Sequence, residues 1–206
     1  MPALHRLPIL GLACGIALAT SAFATPLQTT KYVYYTIAGD TAGDLYSAML
    51  SRGPHVNGAK AYAATTATSS QDGKLQQAKS CLIADYRLKI DFVIRLPKLK
   101  NEAALPPSDR LKWRQFSQFL KRHEETHRSI WLGCAQQLEN KVRAIKVASC
   151  GDADAKASKL WDAMRKSCSR KHDAFDATEQ KRLLRHPFVR TVLKAKHSAT
   201  AAASAQ

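Results

Sequence analysis

From Leu111 to about Ala148 the chain carries no proline. Across that stretch Trp113, Phe116, Leu120, His123, His127, Ile130, Cys134, Leu138, Val142 and Ile145 recur at intervals of three and four. Such spacing lines one face of an α-helix, so the segment predicts a long amphipathic helix whose stripe must be covered by the rest of the fold. Pro106-Pro107-Ser108-Asp109 marks its start, with Ser108 or Asp109 as the expected N-cap, and Ser149 to Asp152 its end. Beyond that break Leu160, Trp161, Met164 and Cys168 predict a second helix running towards Phe175. A basic helical stretch, residues 179–196, follows, broken near Pro187.

The N-terminal half reads differently. Residues 31–54 open with a run of Tyr and Val, turn at Gly39-Asp40 and continue with Leu45, Met49 and Leu50 at helical spacing, predicting strand, turn and short helix. Residues 59–70 have weak strand character, and Gln71-Asp72-Gly73 is a turn signal. Residues 80–97 alternate apolar and polar through Leu88, Ile90, Phe92 and Ile94, a long strand with one solvated face. The expected fold is α+β: a small antiparallel sheet from the N-terminal half, packed with the long helix and a C-terminal helical hairpin.

Arg6, an apolar run from Ile9 to Ala19 and then Ala22-Phe23-Ala24 have the make-up of a secretory signal cut after Ala24. The run is too short to span a bilayer, and no later segment approaches the roughly 20 apolar residues a transmembrane helix needs. The expected organisation is a signal peptide at 1–24, one domain at 25–194 and a disordered tail at 195–206, in a periplasmic or secreted protein. Past the signal the cysteines are Cys81, Cys134, Cys150 and Cys168, an even set suited to two disulfides in an oxidising compartment. The whole chain carries a formal charge of +16. In an exported protein that suits an anionic envelope surface, or no specific partner at all.

The chemistry lies in residues 123–127, HEETH, on the long helix. At 100° per residue His127 lies about 40° and Cys134 about 20° from His123, and Glu124 stands about 100° round on the flank. The two imidazoles share the apolar face. Zinc takes neutral imidazole ligands and keeps a position open for water, and a glutamate directly after the first ligand can reach that water and take its proton. This is the HExxH spacing of zinc peptidases. With seven histidines in 206 residues, a chance match has a probability of roughly one per cent or less. The competing structural reading is two core histidines beside an exposed Glu124-Glu125 pair.

Zinc requires a third ligand. If the two helices fold back around Gly151, facing residues have numbers that sum to about 302. Cys134 then meets Cys168, which leaves Cys81 to pair with Cys150, and His127 meets Phe175. Within one turn of Phe175 stand His172, Asp176 and Glu179, and helix geometry does not choose among them.

Three stretches together carry a resemblance: YYTIAGDTAGDLYSAMLSRGP at 34–54, VIRLPKL at 93–99 and WRQFSQFLKRHEETH at 113–127. In these the chain resembles a bacterial family of predicted secreted zinc-dependent proteases, over about Tyr32 to Thr178. In that family an aromatic-Asp pair and a threonine follow the helical hairpin, and Phe175-Asp176 with Thr178 looks like the counterpart. The resemblance implies Asp176 as third ligand beside His123 and His127. The His-Gly that usually continues the family pattern is missing here, which leaves His172 as the alternative.

The function expected from this reading is an exported zinc metallopeptidase. It would hydrolyse a peptide, a protein or a cell-wall amide, with Glu124 activating the water on Zn2+. The alternative is a non-catalytic basic envelope-binding protein with a structural or vestigial metal site. A nuclease is the weakest reading, because no acidic cluster for magnesium is visible and no specific nucleic-acid partner is expected. Tyr34, Tyr35 or a later histidine are candidates for stabilising an oxyanion.

Overall fold

The computed structural model describes residues 26–203, so the signal peptide expected at 1–24 and the last three residues of the tail lie outside the described residues. The element order is β1 (Leu27–Ile37), α1 (Ala42–Arg52), β2 (His55–Val56), β3 (Ala59–Lys60), β4 (Ala64–Gln77), β5 (Cys81–Leu99), α2 (Pro107–Arg143), α3 (Cys150–Arg185) and α4 (Pro187–Ala203). A short 3₁₀ turn at Glu102–Ala104 precedes α2. This is the mixed α+β architecture that the hydrophobic patterning predicts.

The sheet differs in one respect from the wholly antiparallel one expected. Its order is β1-β5-β4; β4 and β5 are antiparallel, but β1 runs parallel to β5, with Tyr32 opposite Ile94. The reason is topological. A tight turn joins β4 to β5, which fixes that pair as antiparallel. β1 reaches the far edge of β5 only after α1 and the β2–β3 hairpin intervene in sequence, so no hairpin constrains its direction.

The turn expected at Asp72-Gly73 is a bulge inside β4, where the register shifts between Asp72 and Lys74. Opposite it Asp85 adopts φ 53°, and the buried positions of β5 change phase from Cys81 and Ile83 to Tyr86, Leu88, Ile90, Phe92, Ile94 and Leu96. A Cβ on Gly73 would lie 2.8 Å from Ile83 Cγ2 and 3.2 Å from Tyr86 Cδ2, so close packing selects glycine here.

The helix limits have local causes. α1 starts with a capping box between Thr41 and Asp44. α2 starts at Pro107 itself, with Pro106 as N-cap instead of Ser108 or Asp109, because a proline at the first position loses no intrahelical bond. α2 stops at Arg143 rather than near Ala148. Val147 exchanges two backbone hydrogen bonds with Cys81, at 2.6 and 3.0 Å, and this bridge draws the chain out of the helix. Ser149 caps α3 through Asp152 N. α3 ends at Arg185, and its C-cap His186 has the extended backbone that a following proline imposes. α4 then continues to Ala203, into the stretch expected to stay without structure.

Two apolar clusters hold these elements. One joins α1, α4 and the first half of α2 through Leu45, Met49, Phe116, Leu120, Phe188 and Val192. The other joins the second half of α2 to α3 and the start of β5 through Leu138, Val142, Met164 and the disulfides Cys81–Cys150 and Cys134–Cys168. Cys134–Cys168 is the pair that the fold-back register predicts, and Cys81–Cys150 the pair it leaves. His123 to His127 lie on α2 where one cluster gives way to the other.

Candidate metal centre

Three elements meet at this seam. α2 presents His123 and His127 one turn apart on one face and Glu124, about 100° round, towards β4. α3 runs back alongside and, as the register requires, sets Phe175 against both imidazoles, with ring centroids 4.9 Å from His123 and 5.1 Å from His127. One residue further, Asp176 Oδ1 stands 3.3 Å from His123 Nε2 and 3.0 Å from His127 Nε2, and the two Nε2 atoms are 3.0 Å apart. These three residues form a group whose ligand atoms a single cation could bridge.

The other two ligand candidates approach the imidazoles from behind. His172 Nδ1 is 2.8 Å from His127 Nδ1. Glu179 Oε2 is 3.9 Å from His123 Nδ1, near enough for charge interaction but too far for a hydrogen bond, so this buried nitrogen has no hydrogen-bond partner. Asp176 alone of the three candidates faces the side on which both Nε2 atoms converge.

This arrangement fits a cation. Two Nε2 atoms and a carboxylate oxygen, all acceptors when the imidazoles carry their protons on Nδ1, point at one another across about 3 Å. Lone pairs at such distances repel unless a proton or a metal lies between them. Tetrahedral ligand atoms at bonds of about 2.0 Å are separated by about 3.3 Å, close to the spacing found. Burial also pushes His123, His127 and His172 below the ordinary histidine range, with the nearby Asp176 carboxylate opposing the shift at each. Neutral imidazole is the form that binds metal.

Glu124 is only 4 % exposed. Burial raises its carboxyl to about 7 against the opposing hydrogen bond from Thr65, and the charge of Asp176 adds to the rise. Thr65 on β4 donates to Glu124 Oε2 at 2.8 Å, and its hydroxyl also lies 3.0 Å from the Glu124 carbonyl. Nothing in the sequence singles out Thr65, because it is one threonine in a weakly patterned strand. Glu125 points away towards β1, where it accepts the Tyr32 hydroxyl at 2.7 Å.

His123, Glu124 and Asp176 line a cleft of about 900 Å³ between α2, α3 and the edge strand β4. Its wall is apolar beside Phe119, Leu120 and Leu183 and charged beside Asp162, Arg165 and Lys166. Tyr34 and Tyr35 take no part. Tyr34 is exposed on the sheet, and Tyr35 donates its hydroxyl to the Tyr62 carbonyl at 2.6 Å.

Fold and site together define an α+β protein, stapled by two disulfides, with a two-histidine, one-carboxylate cluster and a buried glutamate beside it in a cleft. Residues 32–183 match the model of a family described as "Bacterial protein of unknown function (DUF922)", and the chain belongs to that family. No curated protein and no solved structure matches it. Among the described residues no helix is long and apolar enough to cross a membrane.

Proposed function

We propose that the chain is an exported zinc-dependent metallopeptidase, hydrolysing a peptide or cell-wall amide bond in the cleft between β4 and α3. The observation that supports this most is the convergence of His123 Nε2, His127 Nε2 and Asp176 Oδ1 within 3.3 Å, beside a buried glutamate. Two imidazoles and one carboxylate are a ligand set of catalytic zinc, which leaves a position open where a structural site closes it with a fourth protein ligand. Bound there, zinc would supply Lewis-acid polarisation of a carbonyl and of water.

The chain's own residues do the rest. Glu124 Oε2 is engaged by Thr65, which leaves Oε1 to accept a proton from attacking water and return it to the departing nitrogen. Burial raises this carboxyl in the metal-free site, and the charge of a bound zinc would oppose that rise and favour the ionised form that accepts the proton. Asp176 and the two imidazoles hold the metal, and the cleft, with its apolar and charged ends, takes an extended substrate on either side of it.

The first test is zinc per chain in oxidised residues 25–206, by elemental mass spectrometry, beside His123→Ala. About one zinc, lost in the variant, supports the site. Hydrolysis of a mixed peptide library and of purified cell wall should then disappear in Glu124→Gln while zinc remains. No zinc after zinc-replete refolding, or hydrolysis unchanged by Glu124→Gln, overturns the reading and turns attention to the basic surface.

A further inference from the structure

The contact between His127 and His172 has a direction that follows from chemistry. Their Nδ1 atoms are 2.8 Å apart, so one carries a proton and the other accepts it. For His127 to offer its Nε2 lone pair towards Asp176 and His123, its own proton must sit on Nδ1. His127 is then the donor and His172 the acceptor, which places the His172 proton on Nε2. That nitrogen lies 3.8 Å from Cys168 Sγ, one helical turn back on α3 and half of the Cys134–Cys168 disulfide. The His172 ring is wedged against Trp131, with centroids 5.5 Å apart. Packing, covalent staple and hydrogen bond thus all fix the same imidazole.

We infer that His172 is a positioning residue for this site: by accepting the Nδ1–H of His127 it holds that ring in the tautomer and orientation that present Nε2 to the metal. The inference rests on the metallopeptidase reading for its consequence but not for its geometry. A ligating histidine ordinarily gives its second N–H to a carboxylate, a carbonyl or water. Here an imidazole is the acceptor in place of a carboxylate. His172 therefore contributes orientation without the extra charge that a carboxylate partner would bring.

The sulfur contact explains how the acceptor stays available. If the His172 ring turned over, Cδ2 would take the place of Nδ1 and face His127 while Cε1 replaced Nε2 beside the sulfur, and the hydrogen bond to the ligand would be lost. α3 also sets the spacing: Cys168, His172 and Asp176 stand four apart on one face, so the staple that fixes the first fixes the other two. Asp176 reaches the Nε2 side of the imidazoles and His172 the Nδ1 side of His127, from the same helix.

Two measurements on the oxidised full chain test this. Zn2+ affinity, by competition with a chelator, should fall roughly 10- to 100-fold in His172→Phe, which keeps a ring against Trp131 but removes the acceptor. His172→Asn keeps an oxygen near the place of Nδ1 and should return affinity to within a few-fold of wild type. Equal affinity in wild type and His172→Phe overturns the proposal, as does an Asn variant as weak as the Phe variant. A loss of affinity in His172→Phe as large as that in Asp176→Ala also overturns it, since His172 would then be a ligand.

The second measurement uses the wild-type chain labelled with ¹⁵N-histidine. A through-hydrogen-bond coupling between the Nδ1 atoms of His127 and His172 is the expected signature, with the proton on His127 once zinc is added, and absence of the coupling overturns the pairing. This result does not depend on any variant folding. It also separates the two readings, because the coupling decides the His127–His172 contact even if the chain fails to bind zinc.

Discussion

Thr65 donates its hydroxyl to the carboxylate of Glu124 at 2.8 Å across a sequence separation of 59 residues, tying the edge strand of the sheet to the helix that carries both histidines. The bond does two things. It fixes one carboxylate oxygen, and it opposes the burial that raises the Glu124 carboxyl.

Thr65→Val keeps the shape and removes the hydroxyl. A hydrogen bond to a charged group contributes about 1.5–3 kcal/mol, so kcat is expected to fall roughly 10- to 100-fold, with zinc content unchanged. Steady-state kinetics beside elemental analysis checks this, and Thr65→Ser should recover most of the rate. A Val variant with wild-type kcat would mean that Glu124 needs no such hold.

The Glu124 carboxyl makes the stability of the metal-free protein depend on pH. Its folded value is raised from 4.5 to about 7, so its favourable contribution is full below the unfolded value and is lost as pH rises through the folded one. Gln cannot ionise. Glu124→Gln is therefore expected to gain stability over wild type between about pH 4.5 and 7 and to hold that margin above, reaching about 3 kcal/mol at pH 8. Urea unfolding of both proteins in chelator at pH 5 and pH 8 measures it; a margin that shrinks with pH would refute the burial argument.

Zinc should stabilise the fold it bridges. With zinc at about 100 times its dissociation constant the gain is about 2.7 kcal/mol, which for a domain of this size raises Tm by about 5–10 °C. The shift should vanish in His123→Ala and shrink strongly in Asp176→Ala, as read by differential scanning calorimetry. An undiminished shift in Asp176→Ala would assign the third ligand elsewhere.

The Cys134–Cys168 disulfide closes a loop of 34 residues and holds the register of α2 against α3. Replacing both cysteines by serine is expected to cost about 4 kcal/mol from chain entropy alone. It should also weaken zinc binding, because His172 and Asp176 follow Cys168 at intervals of four. The Cys81–Cys150 bridge, with a sequence separation of 69, ties the start of β5 to the start of α3 away from the metal ligands. Its removal should cost similar stability and leave zinc affinity nearly unchanged; comparing the two variants separates a local effect from a global one.

Much of this protein was legible in its residues because the decisive signals are periodic. The three-and-four spacing from Trp113 to Ile145 fixes which face of α2 is buried, and that alone places His123 and His127 together with Glu124 on the flank. The antiparallel return of α3 follows from the break near Gly151, and with it the pairing of Cys134 with Cys168, since facing positions on two antiparallel helices are counted from the turn. The α+β class follows likewise from a change of period between the two halves.

Periodicity stops short where contacts between elements decide. His172, Asp176 and Glu179 stand within about two turns of α3, and its rotation against α2 determines that Asp176 meets the Nε2 atoms while the other two approach the Nδ1 atoms. Thr65 reaches Glu124 only because β4 lies at the sheet edge above α2, and the parallel pairing of β1 depends on how the chain crosses between strands. The sequence alone determined the faces of the elements, because these are set by near neighbours along the chain, and it pointed to the covalent staples only through the fold-back register of two antiparallel helices. The tertiary structure decided the ligand geometry, because distances of 3 Å between residues some 50 positions apart depend on how whole elements pack.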